Sequence, residues 1–163
     1  MLSFKFTGIK KTGEMQTAII GKEVYSITMD IEKLNMKMIH QYLSKESYWA
    51  KDIPLKMVKK SIENSLNFGV FHEKEQIGFA RLITDKTTMA YLCDVFIIEA
   101  YQKKGLSSWL MKSITTHPEL QHLRLWILLT SSADWLYEKF GFYNPKKPEL
   151  YMEKRNKINY KNV

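Results

Sequence analysis

At 163 residues and 19.3 kDa, with 45% hydrophobic and 26% charged residues, the chain has the make-up of one globular domain, which excludes wholesale disorder. A single cysteine, Cys93, excludes an internal disulfide framework, no apolar run reaches the roughly 18 residues of a membrane helix, and MLSFKFTGIKKTG lacks the apolar run of a secretory leader, so a cytoplasmic setting is expected. A net charge of +8 and a pI near 9.4 favour anionic partners, but the lysines are scattered, which speaks against nucleic acid and leaves room for a phosphate-rich ligand.

Residues 3–7 and 16–20 are short strand-like runs, read as an accessory hairpin within an N-terminal extension, residues 1–22. Residues 23–29 (EVYSITM) predict a strand. Ile31, Leu34, Met38 and Tyr42 fall at helical spacing and predict one helix over 31–43. Asp52 and Pro54 mark the start of a second helix, with Leu55, Val58, Ile62 and Leu66 as its buried stripe. Lys56, Lys59 and Lys60 then form its solvated face.

The period changes after that. Residues 68–72 and 77–84 predict a hairpin, and residues 89–98 (MAYLCDVFII) a long strand too apolar to be exposed on both faces. A helix follows with Leu106, Trp109, Leu110 and Ile114 on one side, closed by Pro118. Residues 123–129 predict a buried strand. Ser131 and Asp134 look like a capping box for a helix over 132–140 that ends at Gly141, and a last strand is placed within 150–154. The order predicts an α/β (α+β) fold with a single mixed central sheet and about four helices, a main domain over 23–154 and a basic tail over 155–163.

The most informative segment is the junction at 102–108, where a buried strand ends, a basic turn with one glycine follows, and a helix begins. The first N–H groups of a helix have no intrahelical partners and favour an anion. Gly105 lets a ligand approach the backbone, and Lys103 and Lys104 add positive charge. On these residues alone, a pyrophosphate cradle and a plain βα turn with solvated lysines both stand. Neither a phosphate-binding P-loop nor a G-x-G-x-x-G fingerprint is present.

The run IIEAYQKKGLSSWLM resembles the acetyl-CoA-binding motif of the GNAT acyltransferase superfamily, Q/R-x-x-G-x-G/A, read here as Gln102-Lys103-Lys104-Gly105-Leu106-Ser107. LYEKFGF, residues 136–142, resembles the family's second landmark, L-Y-x-K-x-G-F. Two positions depart from the pattern: Ser107 stands where Gly or Ala is usual, and Ile98 replaces a common proline.

The resemblance implies acetyl-CoA as co-substrate and central strands that splay to admit its pantetheine arm. It implies that the backbones of Phe96 and Ile97 pair with that arm, and that Gln102, Lys103, Lys104, Gly105, Leu106, Ser107 and Ser108 hold the pyrophosphate. Tyr137 matches the family's general acid, and Tyr48 and Trp49 stand where acceptor pockets are shaped. It also implies an N-acetyltransferase acting on a primary amine of a small molecule or peptide, by direct attack in a ternary complex.

An amine must be neutral to attack a thioester, so a base or a desolvating site has to remove its proton. Asp94, a carboxylate within an apolar strand, is either that base or a structural group bonded to backbone or to Arg81. Cys93 reads as a core residue. His40, His72, His117 and His122 lack metal-ligand spacing, so no metal is expected. A non-catalytic acyl-CoA-binding module is the alternative of a different class, and a homodimer through the N-terminal segment stays open.

Overall fold

In the computed structural model of the chain, residues 5–7, 16–20, 23–156, 158 and 160 are described. Seven strands form one sheet in chain order: β1 (Lys5–Thr7), β2 (Gln16–Ile20), β3 (Glu23–Thr28), β4 (Leu66–His72), β5 (Glu75–Thr84), β6 (Met89–Ile97) and β7 (Leu125–Leu128). Every neighbouring pair is antiparallel except β6 and β7, which run parallel because a helical crossover joins them. β2 pairs with both β1 and β3, so the expected N-terminal hairpin continues the sheet rather than standing beside it.

Helices cover both faces. On one face, α1 (Met36–Gln41) and α2 (Leu55–Glu63) bury Ile39, Val58 and Ile62 against Phe79 and Phe96, together with Leu43 from the segment that follows α1. On the other, α3 (Leu106–Thr115) and the short α4 (Asp134–Tyr137) bury Trp109, Leu110, Ile114 and Leu136 against Phe68, Val70, Leu82 and Leu92. These two sandwiched apolar layers supply the main driving force for the fold.

The single helix expected over 31–43 is broken. A 3-10 turn (Ile31–Lys33) gives way at Leu34 to extended backbone. The Asn35 side chain then accepts from the Met38 amide at 3.0 Å and caps α1 as a separate helix. α1 runs on into a π-helical segment (Tyr42–Glu46), closed by a bond from the Ser47 amide to the Tyr42 carbonyl.

Leu66, assigned to the α2 stripe by its spacing, is instead the first residue of β4 and pairs with Leu82. α2 stops three residues earlier, where Ser61, Ser65 and Asn67 side chains bond to its last carbonyls. β7 is shorter than its apolar run and only half-buried, since no strand lies outside it among the described residues. The strand expected within 150–154 is absent: Pro148 opens a 3-10 turn, and the following residues face water, with Met152 98% exposed.

At the start of α4 the cap expected of Ser131 is absent: Ala133 is the N-cap residue with no side-chain cap bond, and the Thr130 hydroxyl accepts from the Ala133 amide at 3.0 Å. Asp134 is the first helical residue. The expected 132–140 helix is thus α4 followed by a 3-10 turn (Glu138–Phe140), ended by Gly141 at φ 84°.

Candidate active site

β6 pairs with β7 only from Met89↔Leu125 to Leu92↔Leu128. β6 then continues to Ile97 while β7 has ended, so residues 93–97 have β5 on one side and no strand on the other among the described residues. The sheet opens at this point. Backbone groups left this way need partners, and an extended ligand can provide them.

A bulge sits where the strands part. Asp94 has φ 54°, and the β5–β6 register shifts between Phe79 and Arg81. The extra residue inverts the strand's facing. Upstream, Ala90 and Leu92 belong to the core under α3; downstream, Val95 and Ile97 do, while Phe96 turns to the α1–α2 layer. There Phe96 stacks on Tyr42 with ring centroids 3.7 Å apart.

The bulge also aims the Asp94 carboxylate at Arg81, whose Nε lies 2.7 Å from Oδ2, with the two side chains only 14% and 10% exposed. Arg81 Nη1 donates further to Ser65 at 3.1 Å. The second Asp94 oxygen accepts from the Trp49 indole at 3.1 Å. Both carboxylate oxygens are therefore engaged, an arrangement that sequence spacing could not reveal because the Trp49 partner is 45 residues away. Next to it, burial and then the Asp94 charge push the Cys93 thiol up to about 12, so it stays protonated and inert near neutral pH.

Trp49 leads to the other side of the cleft. Its ring meets Tyr48 edge-on at 5.1 Å, and the Tyr48 hydroxyl accepts from Ser131 at 2.6 Å. Tyr48 is 66% exposed, so the bridge closes over the surface rather than inside the core. Ser131, assigned by sequence to a helix cap, is a site residue that spacing missed. Tyr137 lies beneath, 9% exposed, its hydroxyl pushed up to about 12 by burial first and then by the neighbouring Tyr48. The fold therefore brings Tyr48, Trp49, Asp94 and Tyr137 to one end of the splay.

Residues 102–108, the turn before α3, lie at the other end. After β6, the Ile98 amide bonds to the Ile77 carbonyl and a 3-10 turn (Glu99–Tyr101) follows. The Gln102 side-chain amide donates back to the Ile97 carbonyl at 2.9 Å, fixing the turn to the strand end. Lys103 at φ 61° and Gly105 at φ 82° are both left-handed, which curls the backbone, and α3 starts at Leu106 with no side-chain cap. Leu106 itself is buried in the core, so only its backbone faces the turn. The Lys104 ammonium is 3.4 Å from Glu23 and lies over the Tyr101 ring. A cleft of about 320 Å³ adjoins the strand end between α1 and Ile98, lined also by Tyr42 and Glu46.

Comparison with known proteins decides the family. The family model described as an acetyltransferase (GNAT) domain matches residues 30–161, more than half of the chain. The chain belongs to the GNAT acetyltransferase family. As a GNAT protein it is a transferase, and its single mixed sheet with four helices is the family fold.

A crystal structure from Xanthomonas campestris pv. campestris, described as a candidate GNAT acetyltransferase, is 42% identical, covers 81% of this chain and 93% of its own, and superposes with a TM-score of 0.79. A candidate acetyltransferase of Gibberella zeae is 28% identical over 137 residues, 71% of this chain and 76% of the relative. A GNAT acetyltransferase of Elizabethkingia anophelis, solved with acetyl-CoA bound, shares the fold at a TM-score of 0.57 and 14% identity, over 79% of this chain and 86% of its own. In this GNAT chain no helix is long and apolar enough to cross a membrane, and no group of three or more metal-ligating side chains converges, both among the described residues.

Proposed function

We propose that this acetyltransferase moves an acetyl group from acetyl-CoA to a primary amine of a small molecule or peptide, by direct attack in a ternary complex. The observation that carries the reading is the half-paired β6: its open backbone at 93–97 runs into the left-handed turn at 103–105 and the uncapped start of α3. An extended pantetheine arm fits the first, and a pyrophosphate fits the second. Phe96 and Ile97 would offer backbone groups to the arm, Ile97 through its amide because Gln102 engages its carbonyl. Lys103 and the amides of Gly105, Leu106, Ser107 and Ser108 would face the phosphates.

In the transfer, a C–N bond forms between the amine and the acetyl carbon, the C–S bond breaks, the amine nitrogen gives up a proton to water and the leaving thiolate takes one from a protein acid, which water then reprotonates. Tyr137 is assigned the second proton. Its hydroxyl stays protonated through the neutral range, so it remains a donor to a thiolate whose own pKa is about 8.5. Tyr48 and Trp49 form the wall that the acceptor meets. We assign Asp94 to holding the bulge in place, because Arg81 and Trp49 occupy both of its oxygens. The amine then arrives as its free base from water.

The test is a pH–rate profile with acetyl-CoA and a panel of amines. With no protein base, kcat/KM rises with unit slope up to the pKa of the acceptor, and Asp94→Asn keeps that slope. A plateau set near neutral pH that Asp94→Asn abolishes would reinstate Asp94 as the base. Absence of turnover on every amine would remove the transfer reading.

A further inference from the structure

The Lys104 side chain is held by β3 and by the 3-10 turn that precedes its own turn. Its ammonium lies 3.4 Å from Glu23 Oε2 and 5.1 Å from the centre of the Tyr101 ring. The same Glu23 oxygen accepts a short hydrogen bond from Tyr25. Tyr101 is tied in turn to the central strands: its hydroxyl donates to Glu75 at 3.3 Å and lies 3.2 Å from His72 Nδ1, and the His72 ring packs 4.9 Å from Tyr25. The 3-10 turn and Lys104 are thus fastened to β3, β4 and β5 by one connected group of side chains.

Two charge effects keep the fastening in force. Tyr25 and then Lys104 hold the Glu23 carboxyl below its ordinary value, so it is ionised at neutral pH. Burial, then Glu23, pushes the Tyr25 hydroxyl up to about 12, so it remains a donor. Glu23 also precedes the segment that matches the family model, residues 30–161. The lysine it holds sits inside the motif assigned to phosphate.

We propose that Glu23 and Tyr101 are positioning residues for the cofactor turn: they bind Lys104 against β3 and so set the backbone geometry that grips the acetyl-CoA phosphates, while Lys104 makes no phosphate contact itself. This rests on the acetyl-CoA reading above. It reverses the ordinary expectation for a motif lysine, because the carboxylate that sits beside a phosphate site then strengthens anion binding instead of opposing it.

The experiment measures CoA affinity by calorimetry and KM for acetyl-CoA with the full chain carrying Glu23→Gln, Lys104→Met, both together, and Glu23→Asp. Each single change is expected to weaken CoA by about 2- to 5-fold, the upper range for losing one exposed ion pair, and to raise KM with little change in kcat. The double variant is no weaker than the worse single, because the two act as one unit. Glu23→Asp restores part of the affinity.

If Lys104→Met weakens CoA while Glu23→Gln leaves it unchanged or tightens it, Lys104 is a phosphate ligand and the proposal is overturned. Wild-type affinity in both singles overturns it equally. Should Glu23→Gln melt well below the wild type, Lys104→Met and the salt dependence of its CoA affinity decide instead: an unchanged salt slope supports positioning, and a slope reduced by one contact refutes it. A wild-type chain that fails to bind CoA would bring down the underlying acetyl-CoA reading and so be recognised before any variant is compared.

Discussion

The Tyr48 hydroxyl accepts a hydrogen bond from Ser131 at 2.6 Å, joining two loops 83 residues apart in sequence. One loop follows the π-helical segment and the other follows β7, so the bond spans the mouth of the open sheet. Ser131→Ala and Tyr48→Phe are each expected to raise the acceptor KM by about 2- to 10-fold, the range of one lost hydrogen bond, with acetyl-CoA KM unchanged. In a double-mutant cycle the two are strongly non-additive. A shift in acetyl-CoA KM instead would place the bridge on the cofactor side.

Tyr137→Phe keeps the buried ring and removes only the hydroxyl. It is expected to lower kcat by about 10²-fold or more, as loss of a positioned acid does, with acetyl-CoA affinity within about twofold of wild type. Because the wild-type hydroxyl titrates at about 12, the wild-type profile shows no alkaline loss from this group below about pH 10. Stopped-flow turnover across pH 6–10 checks both statements; an alkaline limb near pH 9 that disappears in Tyr137→Phe would contradict them.

The Arg81–Asp94 pair is almost wholly shielded from water. Arg81→Met strands the carboxylate in the sheet and is expected to cost about 3–5 kcal/mol in urea unfolding, whereas Arg81→Met with Asp94→Asn recovers a large part of that loss. An equal cost for single and double changes would show that the guanidinium acts through packing alone.

Gly78 and Gly69 give a matched comparison. A Cβ on Gly78 would meet Ile97 Cδ1 and, at 2.8 Å, the Phe96 carbonyl, and a backbone oxygen cannot swing aside. A Cβ on Gly69 would meet the ends of the Leu34 and Phe71 side chains, which can. Gly78→Ala is therefore expected to lose about 1–3 kcal/mol and to weaken acetyl-CoA by displacing β6, and Gly69→Ala to lose less with binding retained. Thermal melts and CoA titrations of the two variants test the ranking.

Tyr25 and Tyr137 both titrate at about 12 in the folded chain, against about 10 when exposed. A raised folded pKa means the folded state holds its proton more tightly, so the associated stability is full below about pH 10 and drains away as pH climbs towards 12. Urea midpoints measured between pH 8 and 11.5 should fall across that window. In Tyr137→Phe the fall should be shallower.

Much of this was legible in the sequence, because its signals are local. The period change after residue 66, the apolar run of β6 and the strand–turn–helix around Gly105 are each decided within about ten residues. The failures came where a distant partner or a single side chain overrode the period. Asn35 split one helical stripe into two elements by capping the second. Leu66 kept helical spacing while pairing with Leu82 across a sheet. Ser131 matched a capping pattern, but α4 has no side-chain cap and Ser131 bonds to Tyr48 instead. The Asp94 environment needed a bulge, which no alternation pattern announces.

The half-paired β6 has one more consequence, for the heat resistance of the protein. A strand bonded on one side along half its length is a weak seam, and whatever pairs with residues 93–97 mends it. Ligand at about a hundredfold its Kd adds roughly 2.7 kcal/mol to folding stability. An extended ligand seated there would therefore raise the melting temperature of the chain in step with its concentration.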